Sequence, residues 1–215
     1  MIFKDRKEAG ARLAAKLKNF KGQMDTIILA LPRGGVVTGF SVAQDLNLPL
    51  DIIVTRKIGA PFDQEYAIGA ITETGEGIFD QRAIATLNIS PDYLKQTIAQ
   101  EQKEAQRRLE LYRQNRPDLN LKDKTVIIVD DGLATGLTMR AAIKSTKMKK
   151  AAKIIAAIPV AAKDSLDQIA QEADEVIYLD APAYFGAVGS FYENFGQTTD
   201  EEVIELLKQS ENFGQ

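Results

Sequence analysis

The sequence contains no cysteine, no histidine and no tryptophan among its 215 residues. Without cysteine there is no disulfide framework and no thiol nucleophile, and without cysteine and histidine there is no Cys/His zinc site. The absence of histidine also excludes a Ser–His–Asp triad and imidazole acid–base chemistry. Any bound metal must therefore be a hard cation held by oxygen atoms, and magnesium is the natural candidate.

Long apolar runs and a strong excess of one charge are also missing. No stretch approaches the roughly 20 apolar residues of a transmembrane helix. The N-terminal segment carries charges throughout instead of the central apolar block of a signal peptide. The formal net charge of −3 argues against a nucleic-acid partner and against attraction to an anionic membrane. These features predict a cytoplasmic protein that binds neither membrane nor nucleic acid.

What is present is an alternation of short apolar runs with helical patterns. Apolar runs without polar alternation are typical of parallel strands buried on both faces. The sequence therefore predicts an α/β fold in one domain, residues 1–215, with a mostly parallel sheet flanked by helices. The predicted strands are 25–31, 50–55, 125–129, 153–159 and 175–179, with a hairpin at 66–72 and 77–80, and the predicted helices are 2–17, 36–46, 90–113, 138–149, 162–173 and 200–207.

The stretch KTVIIVDDGLATGLTMRAA, residues 124–142, contains a candidate anion site. Backbone amides in a turn that opens a helix point at one place, and the helix dipole adds positive charge there. Gly136 permits positive φ, and Thr135 and Thr138 supply hydroxyl donors. The turn therefore predicts a site for a phosphate dianion, although it has neither Gly-Lys-Ser/Thr nor GxGxxG. The predicted loop consists of Gly132, Leu133, Ala134, Thr135, Gly136, Leu137 and Thr138.

Two acids, Asp130 and Asp131, precede this loop directly. They would repel a phosphate, but carboxylates suit vicinal hydroxyl groups or a magnesium ion. A ligand with a phosphate at one end and a diol a few ångströms away is a ribose 5-phosphate. The alternative is an ordinary polar turn after a buried strand.

A second turn, LALPRGGV, ends the first predicted strand. Arg33 can grip a pair of pyrophosphate oxygens, and Gly34 and Gly35 allow backbone amides to approach a ligand. Taken alone, Pro32–Gly35 could equally be a structural turn. Together with the acid pair it favours a site for a diphosphate.

The segment VIIVDDGLATGLT resembles the phosphoribosyl pyrophosphate signature of the type I phosphoribosyltransferases. The resemblance covers roughly residues 25–185. RKIGAP, AIGAI and DDGLATG are similar to a group of predicted phosphoribosyltransferases that have no assigned acceptor. The resemblance implies a Rossmann-like core at about 25–180 and a small hood with the C-terminal tail at about 180–215. An inserted helical segment, at about 81–116, departs from the well-studied purine and pyrimidine enzymes.

The resemblance also implies roles for particular residues. Pro32–Gly35 would be the pyrophosphate loop, with a cis peptide that does not precede proline. Arg56 and Lys57 would begin a mobile flap and neutralise the leaving group, unless they are simply solvated loop cations. Glu65 of the same segment could contact the ribose or a metal. Asp130 and Asp131 would hold the diol and favour a cationic ribose, while Arg33 and Lys57 stabilise the departing pyrophosphate.

The hood of this family holds a nitrogenous base. Here an aromatic tail could stack on a planar ring, with Asp180 as a polar contact, or its rings could close the core beneath a long loop. The long helix 90–113 is either solvated or packed in a dimer, and a homodimer is expected. The aromatic candidates are Tyr184, Phe185, Phe191, Tyr192 and Phe195.

These features predict a magnesium-dependent phosphoribosyltransferase, a pentosyl-transferring enzyme of nucleotide metabolism. It would move ribose 5-phosphate from phosphoribosyl pyrophosphate to an unidentified nitrogenous acceptor, a nucleobase by expectation, and release pyrophosphate. One alternative is a non-catalytic sensor or regulator of phosphoribosyl pyrophosphate or a nucleotide, built on the same fold. A receiver-type signalling domain is a poor match, because its acid pair follows the first strand and not a strand beyond mid-chain.

Overall fold

Helices and strands follow the predicted alternation along most of the chain. The computed structural model describes residues 1–114 and 116–214, so residue 115 of the inserted segment and residue 215 of the tail lie outside the described residues. The helices are α1 (Arg6–Lys16), α2 (Gly34–Leu46), α3 (Gln81–Thr86), α4 (Pro91–Arg113), α5 (Leu137–Met148), α6 (Lys163–Ile169) and α7 (Asp200–Gln209), and the strands are β1 (Thr26–Ala30), β2 (Leu50–Ile52), β3 (Thr55–Ala60), β4 (Asp63–Thr72), β5 (Gly77–Phe79), β6 (Thr125–Val129), β7 (Lys153–Val160) and β8 (Glu175–Asp180).

Five parallel strands form the central sheet in the order β2-β1-β6-β7-β8. The chain moves outward from β1 to β2 on one side and from β6 to β8 on the other. The topological switch point therefore lies between β1 and β6, whose last residues, Ala30 and Val129, are paired in register. Ligands of open parallel sheets bind at such a point, outside the carboxyl ends of the strands.

The core fills both faces of this sheet. Ile28 and Ala30 of β1 pack into the layer that contains α1, α2 and α7, whereas Ile27 and Leu29 face α5 and α6. All four residues are buried. This two-sided burial is why the strands read as continuous apolar runs. Within the described ranges no helix is both long and apolar enough to cross a membrane.

A second, antiparallel sheet of β3, β4 and β5 packs against α5 and α4. The prediction of a simple hairpin was incomplete, because the predicted strand 50–55 ends at Ile52 and a new strand begins at Thr55. In β3 the half-buried Arg56 and Lys57 are followed by buried Ile58 and Ala60, and the segment pairs with β4. Arg56 and Lys57 are therefore strand residues of this second sheet, not loop residues beyond β2.

The predicted N-terminal helix begins later than expected, at Arg6. Asp5 is its N-cap, and the Asp5 carboxylate accepts a hydrogen bond from the backbone NH of Glu8 at 2.9 Å. Phe3 forms an isolated parallel bridge with Tyr192 instead. The predicted helix 162–173 is also shorter and ends at Ile169.

Helix α4, the inserted long helix, bridges the two sheets. Ser90 caps it and Pro91 occupies its first position, as the sequence predicted. It packs against β3 and β4, and toward its C-terminal end it packs against α7, where Tyr112 bonds Asp200. At its C-terminal end, Arg113 donates two hydrogen bonds of 3.0 Å to the two carboxylate oxygens of Asp51 in β2. Their side chains are only 12% and 11% exposed.

Removal of this pair's negative charge should destabilise the fold. We expect Asp51→Asn to lower the free energy of unfolding by about 3 kcal/mol, because a buried guanidinium is left without its counter-charge. Urea unfolding measures the change. The matched control is Glu175→Gln, which breaks the half-exposed pair of Lys153 and Glu175 (2.8 Å) and should change stability by less than about 1 kcal/mol. Equal losses in the two variants would contradict a structural role for the Arg113–Asp51 pair.

Candidate active site

The turns that follow β1 and β6 touch each other at the switch point. A methyl group placed on Gly34 would lie 2.1 Å from Oδ2 of Asp131, and one placed on Gly35 would lie 2.8 Å from Oδ1 of Asp130. Any side chain at these two positions would overlap the acid pair. The PRGG turn and the acid pair, predicted separately from sequence, therefore form one surface.

The two acids are mostly enclosed and interact with each other. The backbone NH of Asp131 donates a 2.8 Å hydrogen bond to Oδ1 of Asp130. Burial raises the pKa of Asp130 well above its usual range, and the adjacent charge of Asp131 adds to the effect. Burial also raises the pKa of Asp131, although Arg6 acts in the opposite direction. Such a pair favours a ligand that brings hydroxyl donors or a cation.

Arg6, at the first position of α1, is a site residue that sequence reasoning missed. Its Nε donates to Oδ2 of Asp131 at 2.6 Å, and the two side chains are 12% and 14% exposed. Its Nη1 donates to the carbonyl of Gly196 at 2.8 Å, and its guanidinium lies 3.8 Å from the ring centroid of Phe195. The contact with Asp131 joins residues 125 positions apart, and no local pattern around Arg6 indicates it.

The loop after the acid pair is held by contacts with residues that follow β7. Gly136, directly before α5, has φ of 74°, a left-handed conformation that glycine adopts without steric cost. The Ser165 hydroxyl donates to the carbonyl of Ala134 at 2.6 Å, and Leu133 forms a bridge with Ala161. Ala134 and Thr135 are exposed, while Thr138 is half-buried. The loop is therefore held in place with its middle open to solvent.

Arg33 lies in a turn whose Pro32–Arg33 peptide is cis, as the resemblance implied. Its Nη1 is 3.5 Å from Oδ1 of Asp200 at the start of α7. The Tyr112 hydroxyl donates to the same oxygen at 2.6 Å. This hydrogen bond lowers the pKa of Asp200, and burial together with Asp200 raises the pKa of Tyr112 to about 12. Arg33 thus rests against a carboxylate at the edge of the site.

The flap cations also have acidic partners. Lys57 donates to Oε2 of Glu65 at 2.8 Å, and the Glu65 side chain is 91% exposed. Arg56 donates to Oε2 of Glu101 on α4 at 2.7 Å. These contacts direct both cations to carboxylates of the second sheet and of α4, and the structure does not bring them onto the acid pair.

The hood residues divide between solvent and core. Tyr184 is 87% exposed, whereas Phe185 packs against Phe191 with ring centroids 5.1 Å apart. Tyr192 is 6% exposed, packs between Phe3 and Phe195, and donates its hydroxyl to the carbonyl of Asp131. Asp180 pairs with the amino group of Met1.

The residues present suit a magnesium ion only in part. In the chain outside positions 115 and 215, no group of three or more potential ligand side chains is placed to hold a metal. Asp130 and Asp131 offer two adjacent carboxylates. Mg²⁺ usually binds one or two carboxylates and completes its shell with water and substrate phosphates. The pair therefore fits an ion that arrives with a phosphorylated substrate.

This geometry agrees with the comparisons to known proteins. The family model described as "Phosphoribosyl transferase domain" matches residues 2–189. The chain belongs to this family. The predicted family and fold class, with a mostly parallel sheet flanked by helices, are confirmed.

The chain is similar to particular proteins over nearly all of its length. Two curated proteins from Mycobacterium tuberculosis, strains CDC 1551 / Oshkosh and ATCC 25618 / H37Rv, are each named "Putative phosphoribosyl transferase". Each is 39% identical over 206 residues, which is 96% of this chain and 46% of the relative. The chain therefore spans about half the length of these relatives. The crystal structure of TT1426 from Thermus thermophilus is 38% identical, has a TM-score of 0.80, and is matched over 97% of this chain and 99% of that chain.

Because the two turns are in contact, we expect a Gly→Ala substitution in the first turn of α2 to destabilise the protein, although such substitutions within helices usually stabilise. Gly→Ala within a helix normally stabilises by about 1 kcal/mol. At Gly35, in the first turn of α2, the new methyl group would lie 3.0 Å from Cα of Asp130, which is backbone and cannot rotate away. We expect Gly35→Ala to lower the free energy of unfolding by about 1–3 kcal/mol, as overpacking does.

Urea unfolding tests this reversal. Gly196→Ala is the matched control, because a methyl group there meets nothing within 4 Å, and its stability should be unchanged or slightly higher. A Gly35→Ala protein as stable as the parent would show that the two turns are not in the contact described.

Proposed function

We propose that the chain is a magnesium-dependent phosphoribosyltransferase that uses phosphoribosyl pyrophosphate and releases pyrophosphate. The observation that carries the proposal is the contact of Gly34 and Gly35 with the acid pair. It joins a turn suited to a diphosphate with carboxylates suited to a ribose diol, and the phosphate loop follows directly in the chain. Membership of the phosphoribosyl transferase domain family supports the same assignment.

The ribose 5-phosphate end would bind along the β6–α5 turn. The 5-phosphate would accept hydrogen bonds from the hydroxyls of Thr135 and Thr138 and from the amides of residues 132–138 other than Leu133, whose NH already donates to the carbonyl of Val160 at 2.9 Å. The ribose hydroxyls would donate to Asp130 and Asp131. Two of the four carboxylate oxygens, Oδ2 of Asp131 and Oδ1 of Asp130, already accept bonds from protein donors. We assign Oδ1 of Asp131 and Oδ2 of Asp130 to the diol.

The diphosphate end would bind at residues 32–35. Arg33 would leave Asp200 for the diphosphate oxygens, because its present contact is long, at 3.5 Å. Lys57 would reach the same group from β3, since its present partner, Glu65, is largely exposed and holds it weakly. Arg56 adds positive charge on the same strand. Magnesium, held mainly by the substrate with Asp130 and Asp131 as protein ligands, would supply further neutralisation of the diphosphate charge.

The chain's own groups would then favour cleavage of the ribose C1–O bond. Negative charge accumulates on the departing pyrophosphate, where Arg33, Lys57 and the amides of Gly34 and Gly35 stabilise it. The enclosed carboxylates of Asp130 and Asp131 favour the positive charge that develops on the ribose. The acceptor nitrogen attacks C1 as pyrophosphate leaves. Positioning supplies much of the rate, so that no histidine or cysteine is needed.

The acceptor would lie against the hood. We propose a nitrogenous acceptor, a nucleobase, in contact with the hood residues Asp180, Tyr184, Phe185 and Tyr192. The ring of Tyr184 is exposed and can stack on a planar group, whereas Tyr192 supports Asp131 from its backbone side. We also propose that the protein is a cytoplasmic homodimer that acts in nucleotide metabolism.

Calorimetry combined with a product assay tests the function. Phosphoribosyl pyrophosphate is titrated into the protein with and without magnesium, and pyrophosphate release is followed over a panel of nucleobases. We expect magnesium-dependent binding and release with at least one base. Binding without release on any base would favour the sensor, and no binding would contradict the proposal.

The acid pair should be needed for turnover and not for folding. We expect Asp130→Asn combined with Asp131→Asn to abolish pyrophosphate release, because the diol and the developing ribose charge lose their partners. The folded protein should persist in circular dichroism and thermal unfolding. Asp45→Asn, on the exposed end of α2, is the control and should retain full activity. Unchanged turnover in the double variant would remove the acid pair from the mechanism.

A further inference from the structure

We propose that Arg6 is a positioning residue that fixes Asp131 and couples it to the hood. The inference rests on the proposed function, which assigns Asp131 to the ribose diol. Arg6 lies on the N-terminal helix α1, outside the acid pair with its phosphate loop, the PRGG turn and the segment that begins at Arg56.

The guanidinium of Arg6 makes three different contacts at once. Nε bonds Asp131, Nη1 bonds the carbonyl of Gly196, and the planar face lies 3.8 Å from the ring centroid of Phe195. The fork of an arginine can satisfy two acceptors while its face stacks on a ring, which a lysine ammonium cannot do. Its side chain is only 12% exposed, so the interactions are little screened by water.

Arg6 also reaches the diphosphate turn. A methyl group on Gly34 would lie 2.8 Å from Nε of Arg6 as well as 2.1 Å from Oδ2 of Asp131. Arg6, Gly34 and Asp131 therefore meet at one point, between the groups assigned to the ribose and to the diphosphate. A guanidinium at this point decides which way the Asp131 carboxylate turns.

The hood contacts the backbone of Asp131 and Gly132 as well. Tyr192 donates to the carbonyl of Asp131, and a methyl group on Gly132 would lie 2.3 Å from Cγ1 of Val188. Residues 188–196 thus contact the backbone around Asp131, and Arg6 ties the carboxylate to the far end of this segment. A shift of the hood on acceptor binding would therefore move the carboxylate that holds the ribose.

Two roles for Arg6 can be distinguished: positioning of Asp131, or simple attachment of α1 to the rest of the fold. An anchor would contribute to stability, and its loss would act on ligand binding whether or not Asp131 had its charge. A positioning residue acts through Asp131, so its loss should matter only while the carboxylate is present. A double-mutant cycle measures this difference.

The experiment compares the affinity for phosphoribosyl pyrophosphate with magnesium in four proteins: wild type, Arg6→Gln, Asp131→Asn and the double variant. We expect Arg6→Gln to weaken binding by about tenfold or more, the scale of a lost charge-assisted hydrogen bond. In the Asp131→Asn background the same substitution should change affinity by less than about twofold. Arg6→Lys should recover part of the loss, because it keeps the charge and loses the fork.

Arg12→Gln is the matched control on the same helix. Arg12 pairs with Glu8 on the exposed face of α1, and its removal should leave affinity within about twofold. If Arg6→Gln does not fold by thermal unfolding, Phe195→Leu takes its place, because it removes the stacked ring and leaves every charge intact. It should then weaken phosphoribosyl pyrophosphate binding in the wild-type background and change it by less than about twofold in the Asp131→Asn background, and equal losses in the two backgrounds or no loss in either would overturn the positioning role.

The outcomes distinguish this inference from the proposed function. Wild-type protein that fails to bind phosphoribosyl pyrophosphate would overturn both. Wild-type binding with equal losses from Arg6→Gln in the two backgrounds, or with no loss in either, would overturn the positioning role alone. A loss confined to the background that retains Asp131 would establish it.

Discussion

Gly34 and Gly35 have no side chains, and the acid pair of the neighbouring turn fills the space that side chains would need. The parallel pairing of β1 with β6 brings the two turns level, and the glycines let them touch. The rest of the site depends on this approach. It places the acids beside the turn that carries Arg33, and it leaves the β6–α5 loop to face the same space from the next position in the chain. Even one methyl group at either glycine would force the turns apart.

The site is enclosed by elements from both ends of the sequence. Helix α1 contributes Arg6, the hood contributes Tyr192 and Phe195, and α7 holds Arg33 through Asp200. This enclosure removes part of the water around Asp130 and Asp131 and raises their pKa values, because burial disfavours the charged form. A hydroxyl donor or a cation at the pair would offset that cost. The cations that we propose for the diphosphate, Arg33, Arg56 and Lys57, are paired here with Asp200, Glu101 and Glu65 respectively. Under that proposal a more highly charged ligand would displace these carboxylates.

The parallel sheet and the two turns at its switch point could be predicted from the sequence, because each is marked by a short local pattern of residues. Buried parallel strands read as apolar runs, and the DDG and PRGG turns follow two of them directly. Strand β3 was missed because RKIGA is short and continues almost directly from β2, so its pairing with β4 decides its identity. Arg6 was missed because its partner lies 125 residues away, and a charged residue at a helix start is common. Tyr192 was predicted to stack its ring on a planar group or to close the core. Its hydroxyl, which donates to the carbonyl of Asp131, was not considered.

The most direct measurement is a crystal structure of the protein with phosphoribosyl pyrophosphate and magnesium bound. We expect the 5-phosphate on the amides of residues 134–138, the ribose hydroxyls within hydrogen-bond distance of Asp130 and Asp131, and the diphosphate against Arg33 and Gly34. A ligand bound elsewhere, with the acid pair and the loop unchanged, would contradict the assignment of this site.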